Sequence, residues 1–111
     1  MEERAIQRGR TEAAFREVNE RIAENARRFE SGETEFICEC ADVHCTDRIK
    51  VTLEEYERVR ADGATFLLAP GHRDPSLERV IVQRPRFQVV EKVHWRARAI
   101  VRALNPRAAG T

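Results

Sequence analysis

Phe36-Ile37-Cys38-Glu39-Cys40-Ala41-Asp42-Val43-His44-Cys45, residues 36–45, holds all three cysteines of the chain in a C-x-C-x4-C spacing. In an extended strand alternate side chains share a face, so Cys38 and Cys40 present their thiols together while Glu39 points away. A tight loop can then return Cys45 to them. Three clustered thiolates call for a cation, and a closed tetrahedral zinc shell needs a fourth donor. His72, after the Pro70-Gly71 turn, is favoured over His44, because neighbouring side chains such as His44 and Cys45 converge on one metal only through an awkward backbone. The expectation is one Zn2+ held by Cys38, Cys40, Cys45 and His72. His94, beside Trp95, reads instead as a surface or capping residue.

Other chemistries fit this spacing less well. Isolated cysteines pack as small apolar side chains, but three so close crowd sulfur without purpose. A disulfide framework is disfavoured by the odd count and by the strained ring that C-x-C would close. The cysteine runs of ferredoxins do not match. Oxidation of the thiols with loss of zinc is chemically feasible where they are exposed. Catalysis would need an open zinc position with an acid or base, for which Glu39 and Asp42 are the nearest carboxylates. H-E-x-x-H, the deaminase pattern and a glycine-rich phosphate loop are all missing, so a zinc hydrolase is the less favoured reading.

On the N-terminal side, residues 3–30 predict one long helix. Phe15, Val18, Ile22 and Phe29, with Asn25 between the last two, alternate at spacings of three and four. That stripe needs a partner, either its own domain or another chain, and Asn25 on the seam suits a register-setting residue of a coiled coil. Glu12 with Arg16, Glu17 with Arg21 and Glu24 with Arg28 make i, i+4 pairs elsewhere on the helix. Ser31 and Gly32 end it.

On the C-terminal side, a strand is expected around 48–51, after the strand candidate Phe36 to Cys40. Thr52-Leu53-Glu54-Glu55 matches a capping box and opens a helix over 53–61, with Leu53, Tyr56 and Val59 inward and Gly63 at its end. A strand follows over 65–69, then the Pro70-Gly71 turn and a short turn capped by Asp74-Pro75. Residues 79–83 and 87–92 form two strands joined around Arg84-Pro85-Arg86. A last helix over 94–104 carries Ala97, Ile100, Val101 and Leu104 on one face before Asn105-Pro106 stops it. The order predicts an α+β fold: a long N-terminal helix, a small mixed or antiparallel sheet with a zinc-stabilised loop, a middle helix and a C-terminal helix. Residues 1–30 read as an association element and 31–111 as the zinc-binding domain.

The 111 residues suffice for one small domain, and 41% apolar residues against 35% charged ones allow a core rather than wholesale disorder. A net charge of +1 conceals an asymmetry. Residues 1–30 carry seven Arg and seven Glu; residues 31–78 carry five basic and eleven acidic groups; residues 79–111 carry eight basic groups and only Glu91. Opposite fields therefore belong to the middle and the tail. No apolar run approaches the roughly 18–20 residues that cross a bilayer, and the charged start MEERAIQRGR lacks a signal-peptide core, so a cytoplasmic protein without a membrane partner is expected.

Phe36 with Cys38-Glu39-Cys40, Cys45, Glu55-Tyr56-Glu57-Arg58-Val59-Arg60, and Phe66 with Pro70-Gly71-His72 resemble an uncharacterised family of small actinobacterial proteins with the pattern F-x-C-E-C, C, E-Y-E-x-V-R, P-G-H. Glu78-Arg79-Val80 and Val89-Val90-Glu91-Lys92 extend the resemblance over about residues 11–93. The arginine-rich last helix and the Val43-His44 pair depart from it. The resemblance implies a small metal-binding protein and transfers no activity.

These readings converge on a zinc-stabilised module with a regulatory or protein-interaction role, its partner another protein or a second copy paired through the N-terminal helix. The alternative is weak, sequence-tolerant nucleic-acid binding through Arg84, Arg86, Arg96, Arg98 and Arg102. No helix-turn-helix, two-cysteine two-histidine finger or aromatic RNA-binding motif accompanies those arginines.

Overall fold

The structure, a computed structural model, describes residues 2–29 and 32–107. Its elements are α1 (Glu2–Arg28), β1 (Glu33–Ile37), β2 (Arg48–Thr52), α2 (Leu53–Arg60), β3 (Thr65–Leu68), β4 (Glu78–Gln83), β5 (Gln88–Lys92) and α3 (Trp95–Ala103). This is the expected α+β fold. The helix end expected at residue 30 and the stop at Ser31 lie outside the described residues. No helix among the described residues is long and apolar enough to cross a membrane.

The strands form two antiparallel sheets rather than one. β1 pairs with β2 as a hairpin, with Phe36 opposite Ile49 and Thr34 opposite Val51. The second sheet has the order β3-β5-β4, so β5 is central. β4 slips register between Val80 and Val82, leaving Ile81 as an extra residue in a bulge.

Local chemistry sets the helix ends. Thr52 Oγ1 accepts from Glu55 N at 3.1 Å while Glu55 Oε1 accepts from Thr52 N at 2.9 Å, the reciprocal capping expected for α2. His94 caps α3, its Nδ1 accepting from Arg96 N at 3.2 Å. α1 opens with Glu2 and Glu3 and closes with Arg27 and Arg28, each sign matched to the helix dipole.

The core joins both sheets. Phe36, Ile49, Val51, Tyr56, Val59, Phe66, Leu67, Leu68, Val90 and Val101 are buried in one cluster. The Phe36 and Tyr56 rings stack at 4.4 Å and fix the hairpin against α2.

The packing face of α1 differs from the expected stripe. Ile22 packs against the core and Phe15 is half-buried, but Val18 is 45% exposed and Phe29 79% exposed. The buried face is Ala5, Gly9, Glu12, Ala13, Arg16, Asn19, Ala23 and Ala26. Small residues let α1 lie close to α3: a Cβ at Gly9 would sit 3.5 Å from Ala97 O and from the Ile100 and Val101 side chains. Glu12 and Arg16, expected as a surface pair, both turn inward. Arg16 donates to the carbonyls of Gly63 and Val101, each at 2.7 Å, and lies over the Phe66 ring at 4.8 Å. Burial draws its pKa down to about 10, with Arg60 nearby adding to the effect.

Glu12 enters a buried ion network. Lys92 contacts Glu12 and lies 2.6 Å from Glu78 Oε2, while Arg8 lies 3.0 Å from Glu78 Oε1 and 3.5 Å from Glu12 Oε2. Lys92, Glu12 and Glu78 have no exposed side-chain surface. Burial raises the Glu12 pKa well above the usual carboxylate range, and the attraction of Lys92 opposes that rise. The network ties α1 to both β4 and β5.

Candidate metal centre

β1 ends at Ile37, earlier than the strand expected through Cys40, and two ladder-like bonds continue it. Cys38 N donates to Asp47 O at 3.4 Å, and Glu39 N donates to Leu67 O at 2.9 Å. The chain thereby leaves the hairpin and docks on the free edge of β3. A sheet edge needs such cover, and Cys38-Glu39 supplies it.

Glu39 makes that docking firm. As expected it points away from the cysteines, and it is completely buried. Its Oε1 accepts from Leu67 N at 2.9 Å and its Oε2 from Asn19 Nδ2 at 2.7 Å. Asn19 also pairs with both backbone groups of Ile37, donating to its carbonyl and accepting from its N–H at 2.9 Å each. One amide on α1 thus holds the end of β1 and the carboxylate that grips β3. Burial pushes the Glu39 pKa up to about 7 against the opposing hydrogen bonds from Asn19 and Leu67.

With Glu39 locked inward, Cys38 and Cys40 emerge on the opposite side. Ala41 then takes a left-handed backbone, φ 69°, and reverses the chain. Asp42 stabilises the turn through two bonds: its carbonyl accepts from Cys45 N at 3.0 Å and its Oδ1 from His44 N at 2.9 Å. Cys45 returns to the cluster. His72 arrives from the far side of β3, where Pro70-Gly71 turns the chain at Gly71 with φ +83°, a conformation that favours glycine.

The ligand atoms of Cys38, Cys40, Cys45 and His72 all lie within 4.8 Å of one another. His72 Nδ1 is 3.6 Å from the sulfurs of both Cys38 and Cys45. Its Nε2 lies 3.1 Å from Asp47 Oδ2, so a carboxylate fixes the ring's orientation. Ala69 N donates to Cys38 Sγ at 3.1 Å, and the backbone at Asp42 and Asp47 favours the thiolates of Cys40 and Cys45. The hydrogen bond from the Cys38 thiol holds Cys40 down to about 5, while that same contact, together with burial, raises Cys38. Burial and the Cys40 contact raise Cys45. Three sulfurs sharing protons in this way can all be thiolates only beside a cation. The cluster can hold a metal ion.

The remaining candidates lie elsewhere. His44 is exposed on the loop, and His94 is the cap of α3. The carboxylates of Glu39 and Asp42 are committed to the bonds just described. Four of the five arginines of the basic segment face carboxylates of this chain. Arg86 faces Glu33 at 3.8 Å, Arg96 faces Glu2 at 3.8 Å, Arg98 faces Glu91 at 3.9 Å and Arg102 faces Asp62 at 3.2 Å. Arg84 stands beside a groove of about 340 Å³ between α2 and the second sheet. Sequence reasoning missed Asp47 and Asn19. Asp47 had a usable signal, two residues beyond Cys45, where a backbone N–H and a carboxylate can both reach the site.

No family model matches the chain, and neither a curated protein nor a solved structure matches it.

Proposed function

We propose that Cys38, Cys40, Cys45 and His72 bind one zinc ion as a closed structural centre, and that the domain it stabilises is a recognition module for a protein partner. The 3.6 Å between His72 Nδ1 and two sulfurs carries this reading. Zn–S bonds of about 2.3 Å and a Zn–N bond of about 2.0–2.1 Å, set at the tetrahedral angle, put sulfur and nitrogen about 3.6 Å apart. N–H donors to sulfur and the Asp47 carboxylate on His72 are the outer partners that such a site uses.

Four protein donors fill a tetrahedral ion and leave no place for a reacting water, which favours a binding role over hydrolysis. The metal would pin the β1–β2 loop to the turn after β3, joining the two sheets. For so small a domain the binding energy of such an ion is folding energy. Two exposed apolar features suit a protein partner: Val18 with Phe29 on α1, and Val43 at the tip of the loop. The nucleic-acid reading has less support, because four of the five candidate arginines already face carboxylates.

Metal analysis of the reduced protein tests the reading. One equivalent of zinc per chain, lost with stability in Cys40→Ser and kept in His44→Ala, is the expected result. A reduced protein that is folded and free of metal would overturn it.

A further inference from the structure

We infer that the zinc centre is a peroxide-sensitive switch in which Cys40 and Cys45 form a disulfide and release the metal, while the rest of the fold stays in place. This rests on the zinc reading above. The four donors are unequally protected. Cys38 and Cys40 are buried, at 3% and 2% exposure, whereas Cys45 is half-buried on a loop whose neighbours Asp42, Val43, His44, Thr46 and Asp47 are all exposed. An oxidant in solution therefore meets Cys45 first.

Its partner is set by geometry. The Cys40 and Cys45 sulfurs lie in one cluster within 4.8 Å. Four residues separate them in a turn already closed by the Cys45 N to Asp42 O bond. Cys38 is the poorer partner for Cys45, since the N–H of Ala69, just past the end of β3, holds its sulfur. It is also a poor partner for Cys40, because a C-x-C disulfide closes a strained ring.

The step balances without a further reductant. The Cys45 thiolate attacks one oxygen of hydrogen peroxide; an S–O bond forms, the O–O bond breaks, and hydroxide leaves to become water. Cys45 is then a sulfenic acid. The Cys40 thiolate attacks that sulfur, an S–S bond forms, the S–O bond breaks, and a second hydroxide leaves as water. Two thiolates have supplied the two electrons that reduce the peroxide. Cys38 and His72 alone cannot retain the ion, so Zn2+ departs.

The change stays local because the disulfide takes over the closure that the metal supplied, while the segment keeps its own hydrogen bonds to β3 and α1. Glu39 remains bonded to Leu67 N and Asn19, and Cys38 to Ala69 N. The disulfide keeps residues 40–45 closed on a new geometry, and what is freed is the turn bearing His72, so the surface around Val43 is reshaped. A thiol reductant with zinc restores both.

The experiment uses the full-length, reduced, zinc-loaded protein, with metal content measured first. Absence of zinc at that stage defeats the proposed function rather than the switch. Hydrogen peroxide is then added while released zinc is followed with a chromogenic chelator and the cysteines are mapped by differential alkylation and mass spectrometry. The expected result is one zinc released per peroxide consumed, an intramolecular Cys40–Cys45 disulfide, Cys38 still a thiol, and far-ultraviolet circular dichroism retained. Cys45→His offers a two-cysteine, two-histidine shell without the accessible thiol and should release zinc at least about tenfold more slowly, since oxidation follows thiolate exposure. Equal rates in the two proteins, retention of zinc in excess peroxide, or a disulfide involving Cys38 would overturn the switch. Should Cys45→His not hold zinc, the disulfide map of the parent decides.

Discussion

Asp47 Oδ2 lies 3.1 Å from His72 Nε2, and that contact turns His72 Nδ1 toward the cysteine sulfurs. Asp47 is itself tied to the hairpin, its carbonyl accepting from Cys38 N. The ring is thus oriented by the same β1–β2 loop that carries the three cysteines. Asp47→Asn should weaken zinc binding by about 10- to 100-fold, as loss of an outer carboxylate does elsewhere, without changing the ligand set. Competition with a chelator of known affinity measures this. An affinity equal to the parent's would mean that the contact does not orient His72.

Asn19 should be among the most sensitive positions away from the metal. Asn19→Ala leaves the N–H and carbonyl of Ile37 and one oxygen of Glu39 without their partner. Each unsatisfied buried group costs about 1–3 kcal/mol, and water entering the space left by the amide reduces the sum, so a loss of roughly 3 kcal/mol is expected. Urea unfolding of the zinc-loaded variant measures it. Asn19→Asp should be worse at neutral pH, because it sets a second carboxylate against Glu39. A loss below about 0.5 kcal/mol for Asn19→Ala, the level of an ordinary surface change, would contradict the assigned network.

The contrast between Asn19 and Asn25 explains what the sequence makes legible. The Cys-His cluster could be read because its signal is local: a C-x-C-x4-C run and a histidine just after a Pro-Gly turn. The capping box at Thr52 and Glu55 is local in the same way. The facing of α1 could not be read, because periodicity rewards large apolar residues and chose the stripe through Phe15, Val18, Ile22, Asn25 and Phe29. The face that packs is built from Ala and Gly for close approach to α3, and from polar groups whose partners lie far along the chain. Arg16 reaches Val101, Asn19 reaches Glu39, and Glu12 reaches Lys92. A charged residue reads as solvent-facing until its partner is known, and no window along α1 contains these partners. Glu39 was legible in direction, through strand alternation, but its destination on β3 was not.

Lys92 sits where two buried carboxylates meet, so removing it alone should be costly. Lys92→Met leaves Glu12 and Glu78 facing each other with only Arg8 as counter-ion, and a loss of about 3–5 kcal/mol is expected. Adding Glu12→Leu should recover much of that loss, since the pair is then replaced by apolar groups. A double-mutant cycle by denaturant unfolding tests the coupling. Additive effects of the two substitutions would mean that the pair does not interact in solution.

Val18 and Phe29 on α1 should contribute to association and little to folding. Both are exposed, so replacing both with Ser is expected to change stability by less than about 1 kcal/mol in all. Deleting residues 1–30 is a different perturbation. It removes Ala23 from the core, Asn19 from Glu39 and Glu12 from Lys92, and the remainder should aggregate. Sedimentation of the parent and the double-Ser variant over a range of concentrations separates the two roles. If the parent is monomeric throughout, α1 is not a self-association surface, and its exposed residues are left to a different partner.

Ala41 is the one non-glycine residue in left-handed backbone among the described residues, and it stands immediately after Cys40 of the metal-binding candidate cluster. An L side chain pays about 1–2 kcal/mol there relative to the right-handed region. Glycine removes that strain but adds freedom to the unfolded chain, which costs about 0.4–1 kcal/mol. Ala41→Gly should therefore stabilise the zinc-loaded protein by roughly 0.5–1 kcal/mol and tighten zinc binding by a few-fold, because the loop must adopt this turn whenever it closes on the ion. Gly71→Ala is the converse test: φ is +83° and a Cβ there would meet no atom within 4 Å, so any loss is conformational. Thermal unfolding and chelator competition on both variants measure the pair. A destabilised Ala41→Gly protein would mean that the turn before Asp42 is not left-handed in solution, and the path by which Cys45 returns to Cys40 would have to be drawn differently.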